Sequence, residues 1–273
     1  MEIKPKVKRL LIVSGWLFCF AGIFTLLGFV NKKQLELPCK GIEVVIDDQV
    51  QHDFVNVNDV LELVNSKGNV TGKAMGSINT ALLEKIILTN PYVDRAEVYS
   101  SIDGSLHVDV WQRNPVLRII NMHDEQYYID QQGLFMPVSA NYTPPVIVAN
   151  GFIYNGFTEM KVGVRSTTQE HDSTDAIKIP HIIDEVYALA KYIAADTFWT
   201  ANTEQIYVNE AQELEVIPRV GEQRIIIGDT TNLDEKFKKL MIFYKDGLSK
   251  TGWNNYSVIN LKFRNQVVCT KIK

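Results

Sequence analysis

Five histidines, His52, His107, His123, His171 and His181, carry the side chains whose unperturbed pKa lies nearest neutrality, and they are scattered along the chain. None belongs to an HExxH pair, and the sequence has no CxxC, no GxSxG and neither a Walker nor a dinucleotide glycine pattern. Asp47-Asp48 with His52-Asp53 gathers oxygen and nitrogen ligands only if the intervening turn folds back, and it reads as a solvated polar loop. His107 and Asp109 are two residues apart in an alternating run, so they share a face and could pair as acid and base. The simpler reading is the wet face of a sheet. The sequence therefore predicts no catalytic, cofactor or metal residue.

The elements that would carry binding surfaces follow from hydrophobic period. Ile42 to Ile46 is a short β-branched run. Asn58-Asp59 offers an N-cap for a short helix through Val60, Leu61 and Val64, and the loop Ser66 to Gly76, with three glycines, ends it. A second helix carries Ile78, Leu82, Ile86 and Ile87 as its stripe and stops at Asn90-Pro91, because the residue before proline is pushed out of the α region. Val93 to Tyr99 and Leu106 to Trp111 alternate and meet around Asp103-Gly104, a hairpin dipeptide. Leu106, Val108 and Val110 face one way; His107, Asp109 and Trp111 face the other. This is a small α+β domain with two helices on one face of a three-stranded sheet.

From Val116 the chain turns mostly β, with short strands at Val116 to Ile120, Gln126 to Ile129, Leu134 to Val138 and Val146 to Ala149. A helix at about 181 to 196 shows the stripe Ile182, Val186, Leu189, Ala190 and Ile193. Strands resume at Gln205 to Val208, Leu214 to Ile217 and Gln223 to Ile227. A further helix, Leu233 to Lys245, buries Leu233, Phe237, Leu240, Met241 and Tyr244, with Asp229, Thr230 or Thr231 as caps. Ser257 to Phe263 and Gln266 to Ile272 close the chain as a hairpin. The stretch Arg165 to Thr174 is read as a surface loop. The last strand offers an edge: either its own domain covers it and Lys271 and Lys273 protect it, or it accepts a strand from another protein.

Leu10 to Val30 holds no charge and follows Lys4, Lys6, Lys8 and Arg9. At about 1.5 Å per residue that run matches a bilayer core of roughly 30 Å, and the positive-inside bias sets the N-terminus in the cytoplasm. The expectation is a retained anchor rather than a cleaved signal, with residues 31 to 273 on the far side of the membrane. The net charge is −4, the first thirty residues carry +3, and the remainder therefore carries −7, a poor partner for nucleic acid. Of three cysteines, Cys19 lies in the apolar run, and whether Cys39 and Cys269 pair is left open by the sequence.

The stretch Asn90 to Ile119, from Asn-Pro-Tyr-Val through Ser-Ile-Asp-Gly-Ser to Gln-Arg-Asn-Pro-Val-Leu-Arg-Ile, resembles the end of a POTRA domain entering the β domain of the bacterial cell-division family FtsQ/DivIB. Tyr127 to Gly133 resembles the first hairpin of that β domain, and Val258 to Val268 its closing hairpin. The resemblance implies an α+β fold in four parts. These are a cytoplasmic tail over 1–9, a single transmembrane helix over 10–30, a βααββ POTRA domain over 35–114, and a mostly antiparallel β domain with two longer helices over 115–273. It implies a non-catalytic inner-membrane scaffold of the divisome that sits at the septum and needs no cofactor. The implied partners are FtsB and FtsL, and through them the FtsW and FtsI enzymes of septal peptidoglycan synthesis. In the family a partner strand adds to the last β strand, assisted by a basic and an aromatic residue just before it. The implied partner-binding residues are Lys262, Phe263, Asn265, Val267, Val268 and Thr270. Lys stands for the usual Arg and loses its bidentate fork, Phe for Tyr, and Asn265-Gln266 for a Ser-Gly turn. Two other readings stay open from sequence: a membrane-anchored envelope hydrolase, and a POTRA-type outer-membrane assembly factor.

Overall fold

The computed structural model describes residues 15–22, 25, 35–47, 53–157 and 181–272. The chain divides into two compact units, one from the N-terminal side to Gln112 apart from residues 50–54, the other comprising 50–54 and 113–273.

The first unit is built on strand β1 (Gly41–Asp47), helices α1 (Val57–Asn65) and α2 (Thr80–Ile87), and strands β2 (Val93–Ser100) and β3 (Ser105–Gln112). The sheet order is β1-β3-β2, with β1 parallel to β3 and β2 antiparallel to it. Gly104 supplies the positive φ, +93°, that the β2–β3 turn requires. Leu106, Val108 and Val110 are fully buried, as their alternation predicts. The cap of α1 is Asn56 rather than Asn58-Asp59. Asn56 Oδ1 accepts from the Asp59 amide and Asp59 Oδ2 from the Asn56 amide, a capping box worth about 1 kcal/mol. Helix α2 is capped by Asn79; Ile87 is buried as expected, while Leu83 rather than Leu82 turns inward.

The second unit is one mixed sheet of nine strands. Its strands are β4 (Pro115–Ile120), β5 (Gln126–Asp130), β6 (Phe135–Pro137), β7 (Ile147–Gly151), β8 (Thr203–Val208), β9 (Leu214–Pro218), β10 (Arg224–Gly228), β11 (Tyr256–Asn260) and β12 (Val268–Lys271). The order is β12-β11-β10-β9-β8-β7-β4-β5-β6. Three neighbouring pairs, β4 with β7, β7 with β8 and β10 with β11, are parallel. Parallel neighbours need a crossover, and the long helices occupy two of them. Helices α3 (His181–Ala194) and α4 (Thr197–Asn202) lie between β7 and β8; α5 (Leu233–Ile242) and a π-turn over Phe243–Leu248 lie between β10 and β11. Ile183, Val186, Leu189 and Ile193 of α3 and Phe237 and Leu240 of α5 share one core with Ile119, Ile206, Val216, Ile225 and Ile259 of the sheet. Each such side chain contributes on the order of 1.5–3 kcal/mol by leaving water.

The expected fold class is corrected in two respects. The second unit is a mixed α/β architecture with a large sheet: antiparallel pairs are in the majority, as expected, but three parallel pairs with crossovers, two of them helical, make it more than a β domain. No helix among the described residues is long and apolar enough to cross a membrane, against the expected transmembrane helix over 10–30. Of that span, 15–22 and Thr25 are described, and they are helical. The rest of the span lies outside the described residues, as does the expected loop Arg165 to Thr174.

Candidate strand-accepting edge

A sheet presents unpaired backbone groups only at its edges, so each outer strand decides whether it can take a further one. In the first unit β2 is one edge. Its outward-facing Val98 amide donates to Glu84 Oε1 of α2 at 3.0 Å, which occupies the middle of that edge with an acceptor from its own unit. In the second unit the edge β6 is only three residues long and ends at Pro137, which has no amide to offer. The opposite edge is β12.

The direction of each β12 amide follows from two bonds. Leu261 N–H donates to Ile226 O, so the odd residues of β11 turn their amides to β10 and Val258 and Asn260 turn theirs to β12. Ile272 N–H donates to Asn255 O, which places the even residues of β12 against β11. Val268 and Thr270, opposite Asn260 and Val258, therefore bond inward, while the amides and carbonyls of Cys269 and Lys271 face away from the sheet. No partner for these outward groups exists among the described residues. Around them Phe263, Val268 and Ile272 stay roughly half exposed, at 44%, 43% and 47%. Between Asn260 and Lys273 the sequence carries Lys262, Arg264, Lys271 and Lys273 and no carboxylate, in a region of net charge −7.

The expected site residues separate into two groups. Val268 and Thr270 lie on β12 with side chains on the exposed face; Val267 packs against the core, beside the half-buried Cys269. Burial raises the Cys269 thiol above its ordinary value, and Cys19, Cys39 and Cys269 are all free thiols. Lys262, Phe263 and Asn265 lie instead in the β11–β12 connection. Asn265 holds the left-handed conformation, φ +59°, that the turn needs and that Asn tolerates better than most residues. Lys262 Nζ pairs with Glu213 Oε1 at 2.6 Å, and Lys239 Nζ of α5 donates to Leu261 O at 3.1 Å and Phe263 O at 2.6 Å. Lys239, Glu213 and Gly228 were not foreseen. No local pattern marks them, since the fold alone brings them to this connection.

These residues border a cleft of about 630 Å³ over the ends of β10 and β11, lined among others by Glu213, Asp229, Glu235, Lys236, Lys239 and Lys262. Its charges are largely spent on one another. Lys236 Nζ donates to Asp229 Oδ1 at 2.7 Å, and this bond holds the Asp229 carboxyl at about 2, well below its ordinary value. Among the described residues no group of three or more His, Cys, Asp or Glu is arranged to hold a metal, and Asp48 and His52 lie outside them. His107 does not pair with Asp109. Its Nδ1 lies 3.4 Å from Glu43 Oε2 and its ring stacks on Tyr99 at 5.3 Å, while Asp109 accepts from the Tyr99 hydroxyl at 3.1 Å and so raises that phenol's pKa.

The chain is a βααββ unit followed by a mixed sheet with a bare terminal edge, and comparison with known families identifies both parts as those of a division-related, POTRA-bearing protein. Residues 37–111 match the POTRA-like domain, and residues 114–270, more than half of the chain, match the family described as FtsQ/DivIB, C-terminal related. The chain belongs to the FtsQ/DivIB family. No individual curated protein matches it.

Proposed function

We propose that this chain is a division scaffold that captures an extended, carboxylate-bearing segment of another division protein as an additional strand beside β12. The observation that carries the reading is the pair of outward-facing residues Cys269 and Lys271, whose backbone groups meet no partner among the described residues. Main-chain bonds to those groups supply affinity, and the half-exposed Phe263 and Val268 supply apolar contact. The basic, carboxylate-free ribbon selects a segment of opposite charge and speeds its encounter at low salt. Within the family this assigns the segment to an FtsB-like protein acting with FtsL, and through them influence on the FtsW and FtsI enzymes at the septum. The chain's role is to hold partners rather than to turn over a substrate.

A proline scan tests it. Lys271→Pro removes an outward amide and leaves the inward ladder intact, so capture of an FtsB-like segment should fall at least about tenfold relative to Lys271→Ala while the fold persists. Thr270→Pro, by contrast, breaks the ribbon's own bond to β11. Equal affinities for Lys271→Pro and Lys271→Ala would exclude strand addition at this edge.

A further inference from the structure

We infer that Lys239, on α5, is a positioning residue for the β12 edge; the inference rests on the strand-capture reading for its purpose but not for its geometry. Strand β12 pairs with β11 alone, and over four residues that ladder is short. Its direction is set by the connection from Leu261 to Val267. Three elements hold that connection. Lys239 Nζ donates to two of its carbonyls, Leu261 O and Phe263 O. Glu213, from the β8–β9 hairpin, takes the Lys262 ammonium. At Gly228, the end of β10, the missing side chain leaves room for the Lys262 stem: a Cβ there would lie 2.8 Å from Lys262 Cδ and 2.9 Å from Cγ.

A backbone carbonyl in a connecting segment usually bonds to water, and such segments exchange freely between conformations. Here an ammonium bridges two carbonyls two residues apart, which fixes the Leu261–Lys262 and Phe263–Arg264 peptide planes just before the Asn265 turn. The charges around Lys239 explain why the cleft is a brace rather than a receptor. Lys236 is bonded to Asp229 and Lys262 to Glu213, so two of the cations beside Lys239 at this opening are engaged by the chain itself, with Arg264 the remaining one. Lys239 touches none of the outward groups of Cys269 or Lys271, so its influence on capture runs through the orientation of the ribbon.

The test is amide hydrogen exchange on the full chain at neutral pH, without any partner. In Lys239→Met, which keeps the stem and loses the donors, the inward amides of Val268 and Thr270 should exchange about tenfold or more faster, while Val216 in the middle of the sheet keeps its protection. Lys239→Arg, which restores two donors, should return both rates to within about threefold of the parent. Unchanged Val268 and Thr270 rates in Lys239→Met, or equal acceleration at Val216, would overturn the inference. Capture is measured separately: if the parent chain takes up no FtsB-like segment, the strand-addition reading fails while the brace still stands or falls on the exchange rates.

Discussion

Gly228→Ala is the perturbation that probes the site's geometry most sharply. Gly228 has φ +81°, where a residue with a Cβ is strained by about 1–2 kcal/mol. The added methyl also lands 2.8 Å from Lys262 Cδ, so the lysine stem must leave its place and the Lys262–Glu213 pair, with both side chains about a third exposed, is lost. A pair so exposed contributes roughly 0.5 kcal/mol. The sum is about 2 kcal/mol, which at a urea m-value of about 2 kcal/mol/M moves the unfolding midpoint of the second unit by about 1 M. A double-mutant cycle with Lys262→Ala separates the two parts, since that truncation removes Cγ and Cδ and the ion pair together. In the truncated background Gly228→Ala should cost only the backbone strain, giving a coupling of about 0.5 kcal/mol or more. A coupling indistinguishable from zero would show that Lys262 does not lie over Gly228 in solution.

Asp130→Ala removes a fully buried carboxylate that accepts from Arg113 at 2.8 Å and from the amides of Gln132 and Leu134; it should cost about 3–5 kcal/mol in urea unfolding, because the largely buried guanidinium, 13% exposed, is left without its partner. Burial pushes the phenols of Tyr187, Tyr192 and Tyr244 up to about 12 and that of Tyr127 further. A folded pKa above the unfolded value near 10 means that their contribution to stability is complete below pH 10 and is lost as pH rises from 10 through 12. Absorbance at 295 nm should therefore show these four ionising late and together with unfolding; their titration near pH 10 in the native chain would contradict the packing. Glu84→Ala frees the Val98 amide on the β2 edge and should produce concentration-dependent self-association in sedimentation, which Glu84→Gln, retaining an acceptor, should largely prevent.

What the sequence made legible was whatever repeats locally. The alternation Leu106, Val108, Val110 and the stripe Val186, Leu189, Ala190, Ile193 both name buried faces correctly. Phase was harder. Leu82 and Leu83 are equally apolar, and it is the packing of α2 on its unit that buries Leu83 and leaves Leu82 exposed. The short helix α4 went unread although Asp196, which accepts from the amides of Phe198 and Trp199, was its cap in plain view. Parallel pairing of β4, β7 and β8 was invisible, because a parallel neighbour is chosen by a crossover and not by the strand's own pattern. At the edge, residue types pointed to the ribbon but not to the direction of its amides. Ile272 bonding to Asn255 turns the Val268 amide inward and leaves the amides of Cys269 and Lys271 facing away from the sheet, which no residue type in the ribbon announces. Lys239 and Glu213 reach the ribbon from distant segments, so nothing near Lys262 in the sequence announces them.

The central claim is strand capture at β12, and residue-resolved exchange on the complex reads it directly. On adding an extended FtsB-like segment, the amides of Cys269 and Lys271 should gain protection of at least about tenfold, with Ala96 and Ser100 on the β2 edge unchanged. Saturating binding that leaves Cys269 and Lys271 exchanging as fast as in the free chain would contradict it.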